Sequence, residues 1–168
     1  MDNLKIKTLS KEIKLPSNIE AEQALIGSVL VNNDIIDEVS SIMNEKEFYD
    51  PLHSKIYELI EKLHNKGMIA NPITLKNSFD SEDSLNEVGG TEYLVKLTRF
   101  SSSTKQCIDY AKIIHEKFVK RELVKISENL SEESMDDSLE KSGDDIIQNT
   151  EKLLFDLAER GTFSQSFS

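Results

Sequence analysis

The sequence predicts an all-α protein in which a globular multi-helix head is followed by a long antiparallel helical hairpin. Apolar residues recur at intervals of three and four along most of the chain, which is the period of an α-helix. Helix start signals precede several of these stretches, and after the first fifteen residues no segment shows a convincing strand period. The longest stretch, Lys105 to Glu132, contains neither Pro nor Gly and amounts to about seven or eight turns.

The first helix of the head is predicted to begin after Pro16. Ser17 is followed three residues later by Glu20, which is a capping-box pattern. Gly27 lies inside the apolar stripe of this helix, where glycine costs helix stability, so we expect it to mark a close crossing with another helix. Asn32-Asn33 is predicted to end the helix.

Further start and stop signals divide the middle of the head. Asp34 is expected to cap a second, short helix, and Asp50-Pro51 places a cap before a proline at the first helical position of a third. Gly67 is expected to end that third helix in the left-handed conformation. Thr74 is predicted to cap a short fourth helix.

The last part of the head leads to a predicted boundary. Ser81 to Glu87 reads as a polar loop, Gly89-Gly90 as a tight corner, and Thr91 as the start of another helix. Ser101-Ser102-Ser103 is the most linker-like stretch. The predicted organisation is a flexible tail at 1–15, the head at 16–102, the hairpin at 103–160 and the start of a linker at 161–168.

The hairpin consists of the Lys105–Glu132 stretch and a second helical pattern that begins near Ser142. Ser142 followed by Asp145 has the form of a helix start, and Gly161 is placed as a helix stop. Two helices joined by a short polar loop fold back as an antiparallel pair.

The apolar surface of this hairpin is broader than one partner helix can cover. Because an isolated two-helix unit buries too little to fold well, the head or another molecule must cover the remainder. We interpret the hairpin as an oligomerisation or docking element; the alternative is two ordinary helices of a monomeric bundle. The candidate subunit-interface residues are Ile114, Phe118, Val119, Leu123, Ile126, Leu130, Ile147 and Leu154.

The composition limits the classes of function. The chain has 20 Lys plus Arg against 31 Asp plus Glu, so phosphate backbones repel it, which argues against autonomous nucleic-acid binding but not against membership of a larger assembly. The single cysteine, Cys107, cannot form an internal disulfide. The first residues lack the apolar core of a signal peptide, and no run approaches the roughly 20 apolar residues of a membrane span. We therefore predict a cytoplasmic protein without membrane association.

No catalytic, cofactor-binding or metal-binding residue is predicted. The motifs GxxxxGK[ST], GxGxxG, HExxH and GxSxG do not occur in the sequence. His53 and His64 are eleven residues apart on one helix, about 16 Å along its axis, which is too far for both to bind one metal ion. We expect these two residues and His115 to have surface or partly buried structural roles, and Cys107 to be a small core residue.

Two charged clusters belong to the hairpin. The basic cluster on its first helix consists of Lys112, Lys117, Lys120, Arg121 and Lys125. It lacks the interleaved aromatic residues that stack on bases, so a helix exterior or salt bridges to a neighbouring subunit are favoured over a nucleic-acid groove. Residues 128–145 hold eight acids against Lys141, which fits either a solvated hairpin tip or a negative patch for a basic partner.

Several motifs, in order, resemble those of DnaB-type replicative helicases. Residues 16–27, PSNIEAEQALIG, are similar to the family's opening P-x-N-x-E-A-E-Q-x-x-(L/I)-G. Residues 48–57 are similar to F-Y-x-x-x-H-x-x-I-(Y/F), and residues 88–94 to G-G-x-x-Y-L. Residues 110–123 match Y-A-x-I-(I/V)-x-E and R-x-L, so that the resemblance covers about residues 15–160.

This resemblance implies the N-terminal domain of such a helicase. In that family the domain forms a collar on a hexameric ring, arranged as a trimer of dimers, and docks the primase; a helicase loader is a further expected partner. The motor that binds ATP and Mg²⁺ and contacts DNA lies in a C-terminal RecA-like domain after a linker. The resemblance therefore implies an ATP-dependent DNA helicase as the parent protein, and neither catalysis nor a cofactor for the present chain, which ends at that linker.

Two other functions remain open on the sequence. One is the helicase-binding domain of a primase, which shares a helical head-and-hairpin design. The other is a small all-α hydrolase that uses carboxylates and His with a metal ion. The E-A-E-Q motif close to the start favours the helicase over the primase.

Overall fold

The computed structural model describes residues 14–79, 83–87 and 89–166, and within these ranges it contains helices and no strand. Two 3-10 turns lie at Asn33–Ile35 and Glu45–Glu47. The α-helices are α1 (Ile19–Val31), α2 (Ile36–Ser40), α3 (Pro51–Asn65), α4 (Pro72–Phe79), α5 (Asp83–Glu87), α6 (Thr91–Thr98), α7 (Thr104–Met135) and α8 (Gly143–Ser166). The predicted all-α class is confirmed. Residues 1–13 of the predicted tail lie outside the described residues.

Helix α1 is the central helix of the head. Nine of its thirteen residues are buried, because α7, α6 and α3 all pack against it. A helix that is apolar around most of its circumference is typical of such a central position. The largest fully buried apolar side chains around it are Tyr57, Phe79, Leu25, Ile26, Ile56, Ile60, Leu75, Leu94, Leu97 and Ile114.

Gly27 lies where α1 crosses the end of α6. A Cβ atom at this position would lie 1.9 Å from the carbonyl oxygen of Leu97, so the predicted close crossing is confirmed. Ser28, the next residue, adds hydrogen bonds close to this crossing. The Ser28 hydroxyl donates to the Ala24 carbonyl at 2.7 Å and accepts from the Ser102 backbone N–H at 2.9 Å.

Two of the predicted helix boundaries in the head are confirmed in detail. The Asp50 carboxylate accepts the Leu52 N–H at 2.9 Å, and Pro51 is the first residue of α3. Gly67 follows the end of α3 with φ of +76°, and the Met68 N–H donates to the Leu63 carbonyl at 2.9 Å. This is the Schellman geometry that a glycine after a helix favours.

Three predicted caps are wrong by one to three positions, and in each case an asparagine caps instead. The capping residues are Asn18 rather than Ser17 for α1 and Asn71 rather than Thr74 for α4. Asn32, rather than Asp34, caps the 3-10 turn that leads into α2, and α2 itself begins without a side-chain cap. Each asparagine oxygen accepts a backbone N–H two or three residues further along the chain. Asparagine ranks with Ser and Asp as an N-cap, so sequence preference alone did not separate the candidates.

Two other expectations about boundaries are wrong. Asp83–Glu87, predicted as part of a polar loop, forms α5, because Leu85 turns inward and is 3% exposed. One buried residue in a polar stretch gives no periodic signal. Helix α8 continues through Gly161 to Ser166, since a single glycine inside a helix costs only about 1 kcal/mol. The linker start at residue 161 stays a prediction.

Helix α7, 32 residues long, belongs to both the head and the hairpin. Its first half packs on α1, whereas the part after Arg121 leaves the head and pairs with α8. At 1.5 Å per residue, the stretch from 121 to 135 extends about 21 Å. The predicted domain boundary at 101–103 stays a prediction, and the structure places the first half of α7 in the core of the head. None of the helices within the described ranges is long and apolar enough to cross a membrane.

Candidate assembly interface

The hairpin leaves large apolar side chains uncovered beyond the head. Leu123 and Leu130 on α7 are 43% and 37% exposed, and Ile147 and Leu154 on α8 are 56% and 42% exposed. We call these four residues the hairpin face. Isolated exposed leucines are common, whereas contiguous apolar surfaces are typical of interaction sites.

The four residues lie on one side of the seam between α7 and α8. Half-buried side chains mark that seam: Val119 and Ile126 on α7, and Thr150 on α8. Leu123 follows Val119, Leu130 follows Ile126 and Leu154 follows Thr150, each by four positions. Four positions along a helix turn a side chain by about 40° around the helix axis. Because α7 and α8 run in opposite directions, this rotation turns both helices toward the same side of the hairpin.

Two of the eight candidate interface residues are not available for contact with another molecule. Ile114 and Phe118 are 1% and 7% exposed, because they pack into the chain's own head. Their assignment to a subunit interface is therefore corrected. Both lie about 140° to 180° around α7 from Leu123, on the side that packs on the head, and the helical period did not show which apolar side of α7 the head covers. Val119 and Ile126 lie half-buried in the seam, and the remaining four candidates form the hairpin face.

Residues from three sequence motifs meet in a buried polar network inside the head. The Glu22 carboxylate accepts the backbone N–H of Tyr49 at 2.7 Å and of Asp50 at 3.3 Å, and lies 2.8 Å from His53 Nδ1. His53 Nε2 lies 2.6 Å from the Tyr93 hydroxyl. Burial raises the pKa of Tyr93, which keeps its phenol protonated and able to donate to His53. The network joins α1, α3 and α6.

His53 is therefore fully buried, and the expectation of a surface or partly buried position is wrong. A buried histidine is tolerated when both ring nitrogens have hydrogen-bond partners, as they have here. Helical periodicity along α3 gave no sign of this, because Glu22 and Tyr93 come from other helices. The structural role of His53 agrees with the sequence analysis.

A second polar cluster, the junction cluster, lies where α7 leaves the head. The Arg121 guanidinium donates to the Pro16 carbonyl at 2.8 Å and the Glu47 carbonyl at 2.7 Å, and it lies 5.4 Å from the centre of the Tyr49 ring. His115 Nδ1 bonds the Glu47 carboxylate. Arg121 is only 7% exposed, so its assignment to an exposed basic cluster is corrected. The junction cluster fixes the direction in which the hairpin leaves the head.

The His115–Glu47 pair predicts a pH-dependent contribution to stability. Its hydrogen bond to Glu47 raises the pKa of His115, against desolvation, and the charges of Glu47 and Glu116 add to the increase. The contribution is complete below the unfolded pKa of about 6.5 and is lost as the pH rises through the raised folded value. We expect His115→Gln to lower the free energy of unfolding by about 1 kcal/mol at pH 6 and by less at pH 9.

Urea unfolding of the wild type and of His115→Gln at pH 6 and at pH 9 measures this difference in stability. His64→Gln is the matched control, since its partner Asp37 is exposed and little change is expected at either pH. A deficit of His115→Gln that grows from pH 6 to pH 9 would contradict the assigned role.

Two further titratable groups, Cys107 and Glu61, have raised pKa values. Cys107 is buried, which raises the pKa of its thiol to about 11 and confirms its role as a core residue. Partial burial, with Glu45 and Glu58 nearby, raises the pKa of the Glu61 carboxyl to about 7. Among the described residues, no three His, Cys, Asp or Glu side chains lie close enough together to hold a metal ion.

The fold and the site thus define a helical head-and-hairpin domain with exposed apolar side chains on its hairpin. Residues 14–116 match the family model described as the DnaB-like helicase N-terminal domain. The chain belongs to this family. The predicted resemblance to DnaB-type helicases is confirmed.

Individual relatives agree with this assignment. The chain is 39% identical over 167 residues to a protein named replicative DNA helicase DnaB from Rickettsia conorii, a match that covers 99% of this chain and 33% of the relative. It is 28% identical over 145 residues to the replicative DNA helicase DnaC of Bacillus subtilis, covering 86% of this chain and 32% of the relative. The chain thus spans about a third of the length of these relatives.

The fold matches a solved structure as well. The N-terminal domain of DnaB helicase from Mycobacterium tuberculosis superimposes with a TM-score of 0.77 at 24% identity, covering 85% of this chain and 99% of that one. The likeness establishes the head-and-hairpin fold.

Proposed function

We propose that this chain is the domain through which the subunits of a ring-forming replicative DNA helicase pair, with the hairpin face as the subunit interface. The exposed apolar surface of Leu123, Leu130, Ile147 and Leu154 carries this proposal. A single copy leaves this surface in water, whereas a second copy would bury it at about 25 cal/mol per Å² of apolar area.

The parent protein, on this proposal, unwinds duplex DNA with energy from ATP. The family membership and the replicative helicases among the relatives support this. The motor that uses ATP and Mg²⁺ would lie in the two thirds of the relatives' length that the chain does not span. The present chain would act in the cytoplasm as a non-catalytic collar of a hexamer, with DNA contacted through the motor.

Primase docking, and contact with a helicase loader, form part of the same proposal. Binding of primase to the isolated domain is expected to be weak, because a site shared between subunits is incomplete in one copy. Titration calorimetry with the purified primase tests this. A tight one-to-one complex with a monomeric chain would contradict it.

The proposal predicts self-association that depends on the hairpin face. Light scattering after gel filtration at tens of micromolar should show dimers or larger species. Leu123→Asp should weaken association by about tenfold or more, because it places a charge in an apolar contact. The fold should be retained, since Leu123 does not contribute to the core of the head.

Asn129→Asp is the matched control for this experiment. It adds the same charge on the same helix, about 120° around the axis from Leu123, and should associate as the wild type does. Equal association of Leu123→Asp and the wild type would show that the hairpin face is not the interface. Phe118→Asp is expected to destabilise the chain itself, because Phe118 is buried.

A further inference from the structure

The N-terminal segment, residues 1–13, joins the described chain at the point where α7 leaves the head. Arg121 donates to the Pro16 carbonyl at 2.8 Å, and Leu15 beside it is 38% exposed. Arg121 lies on the side of α7 away from α8, about 160° around the axis from Val119 on the seam. The chain that precedes residue 14 therefore starts on this side of α7.

The same side of α7 is uncovered beyond Arg121. We call Val124, Glu128, Glu132 and Met135 the rear face, because all four lie within about 60° of Arg121 around the axis. Val124 is half-buried, both glutamates are exposed, and Met135 is 81% exposed. The rear face thus combines two apolar side chains with two acids.

The sequence of the N-terminal segment is complementary to this surface. Residues 1–14 hold four lysines against two acids. At helical spacing three apolar residues share one side, namely Ile6, Leu9 and Ile13. Three of the lysines form a stripe next to that side, namely Lys7, Lys11 and Lys14. An apolar side with a basic side next to it suits an apolar strip flanked by glutamates.

We infer that residues 1–13 pack along the rear face of α7, running from Arg121 toward the loop that joins α7 to α8, with their lysines against Glu128 and Glu132. The segment gives the half of α7 that leaves the head a second partner besides α8. Glu128 and Glu132 lie about 140° and 180° around the axis from Leu123, so the segment leaves the hairpin face open. Pairing through the hairpin face and docking of the segment are thus independent of each other.

The direction of the segment follows from what covers α7 on either side of Arg121. Toward the head, Ile114 and Phe118 lie within about 60° of Arg121 around the axis and are already buried. Beyond Arg121 no side chain of α7 is buried within the described chain. The open path for the segment therefore leads away from the head.

Charge favours the same direction. Residues 128–145, toward which the segment runs, hold eight acids against one lysine. Lys125 also lies on the rear side of α7, but it pairs with Glu122 at 3.1 Å. A basic segment is therefore attracted along the rear face toward the loop.

The length of the segment agrees with the length of the surface. Thirteen residues at 1.5 Å each span about 20 Å as a helix, and α7 extends about 21 Å from residue 121 to residue 135. Counted from Pro16 at the level of Arg121, Ser10 comes level with about residues 127 to 131. This register identifies the pair of positions to cross-link.

Disulfide cross-linking of the full chain tests the position of the segment. Ser10→Cys with Ser131→Cys keeps every lysine and glutamate of the contact, and it should form a disulfide within one chain under mild oxidation. Ser10→Cys with Lys120→Cys is the matched control. Lys120 and Ser131 are both exposed and lie only about 20° apart around α7, but about 16 Å apart along it. Cys107 is buried, and the variants with one added cysteine measure its background.

The two pairs should differ by about tenfold in rate. A segment without a fixed position would reach Lys120→Cys more readily, because this residue is nearly level with the point of attachment at Arg121. Faster bonding of the Lys120→Cys pair, or none in the Ser131→Cys pair, overturns the inference. Dimers on a denaturing gel without reductant would show that the segment binds a second copy, which also overturns it. Light scattering measures pairing through the hairpin face separately.

Charge reversal tests the contact itself. Glu128→Lys with Glu132→Lys should slow disulfide formation between Ser10→Cys and Ser131→Cys about fivefold or more at low salt. Adding Lys7→Glu with Lys11→Glu should restore the rate. Failure to recover it overturns the pairing of these lysines with the rear face.

A second pair of acids controls for overall charge. Asp156→Lys with Glu159→Lys changes the net charge equally, and both residues are exposed on α8. The rate of disulfide formation should stay at that of the unreversed protein, and circular dichroism checks that each variant is folded. An equal loss of rate in this control would show that net charge, rather than a contact at Glu128 and Glu132, draws the segment to the hairpin, and would overturn the inference.

Discussion

Gly27→Ala is expected to lower the free energy of unfolding by about 3 kcal/mol or more, or to prevent folding of the head. The added carbon would lie 1.9 Å from the Leu97 carbonyl oxygen and 2.9 Å from its carbon. Both atoms belong to the backbone of α6, which cannot rotate away as a side chain can. Helices α1 and α6 would have to separate, and the buried side chains between them would lose contacts.

Urea and thermal unfolding, followed by circular dichroism, measure this loss. Gly143→Ala is the control, because a Cβ at Gly143 would meet no atom within 4 Å and its φ is negative. Since alanine favours helix over glycine, this change should be neutral or slightly stabilising. A Gly27→Ala protein as stable as Gly143→Ala would show that the two helices can move apart at little cost, contrary to the packing described.

The sequence predicted those features that depend on residues close together in the chain. The start of α3 at Asp50-Pro51, its end at Gly67 and the start of α8 at Ser142 each follow from a cap and the groups it bonds within a few residues. Gly27 was also informative, because a glycine inside an apolar helical stripe has few explanations other than a close crossing. The antiparallel hairpin followed from two long periodic segments with a polar loop between them.

Features that depend on distant partners were not predictable in the same way. Arg121 lies among lysines in the sequence, yet it is buried because carbonyl groups at Pro16 and Glu47 and the Tyr49 ring come together around it. The same reason applies to His53. A motif resemblance showed that these residues belong together, but neither spacing nor composition showed that they are in contact.

The candidate interface was predicted in part for a related reason. The apolar residues of α7 lie on more than one side of the helix, with Ile114 and Phe118 about 140° to 180° around the axis from Leu123, so sequence alone does not show which of them the head covers. Arg121 provides the physical division. Up to this residue α7 has side chains buried against the head, and beyond it no side chain of α7 is buried within the described chain. The exposed candidates all lie beyond that division, or on α8.

Glu22→Ala is expected to destabilise the chain by about 3–5 kcal/mol. The carboxylate is 1% exposed and accepts the backbone N–H groups of Tyr49 and Asp50 as well as bonding His53. Without it, the N–H groups of Tyr49 and Asp50 and one ring nitrogen of His53 lose this hydrogen-bond partner in the interior of the head. The cost is that of leaving them unsatisfied, which exceeds the net value of the hydrogen bonds when formed.

Two comparison variants separate the loss of the Glu22 hydrogen bonds from a general effect of altering α1. Glu20→Ala removes an exposed carboxylate from the same first turn and should change stability by about 0.5 kcal/mol or less. Glu22→Gln keeps one acceptor oxygen and the side-chain volume, and should fall between the two at about 1.5–3 kcal/mol. Because the network joins α1 to α3 and α6, Glu22→Ala should unfold the head as a unit. Loss of less than about 1 kcal/mol for Glu22→Ala would mean that water or rearranged side chains replace the carboxylate, and that the motif residues are not held together by it.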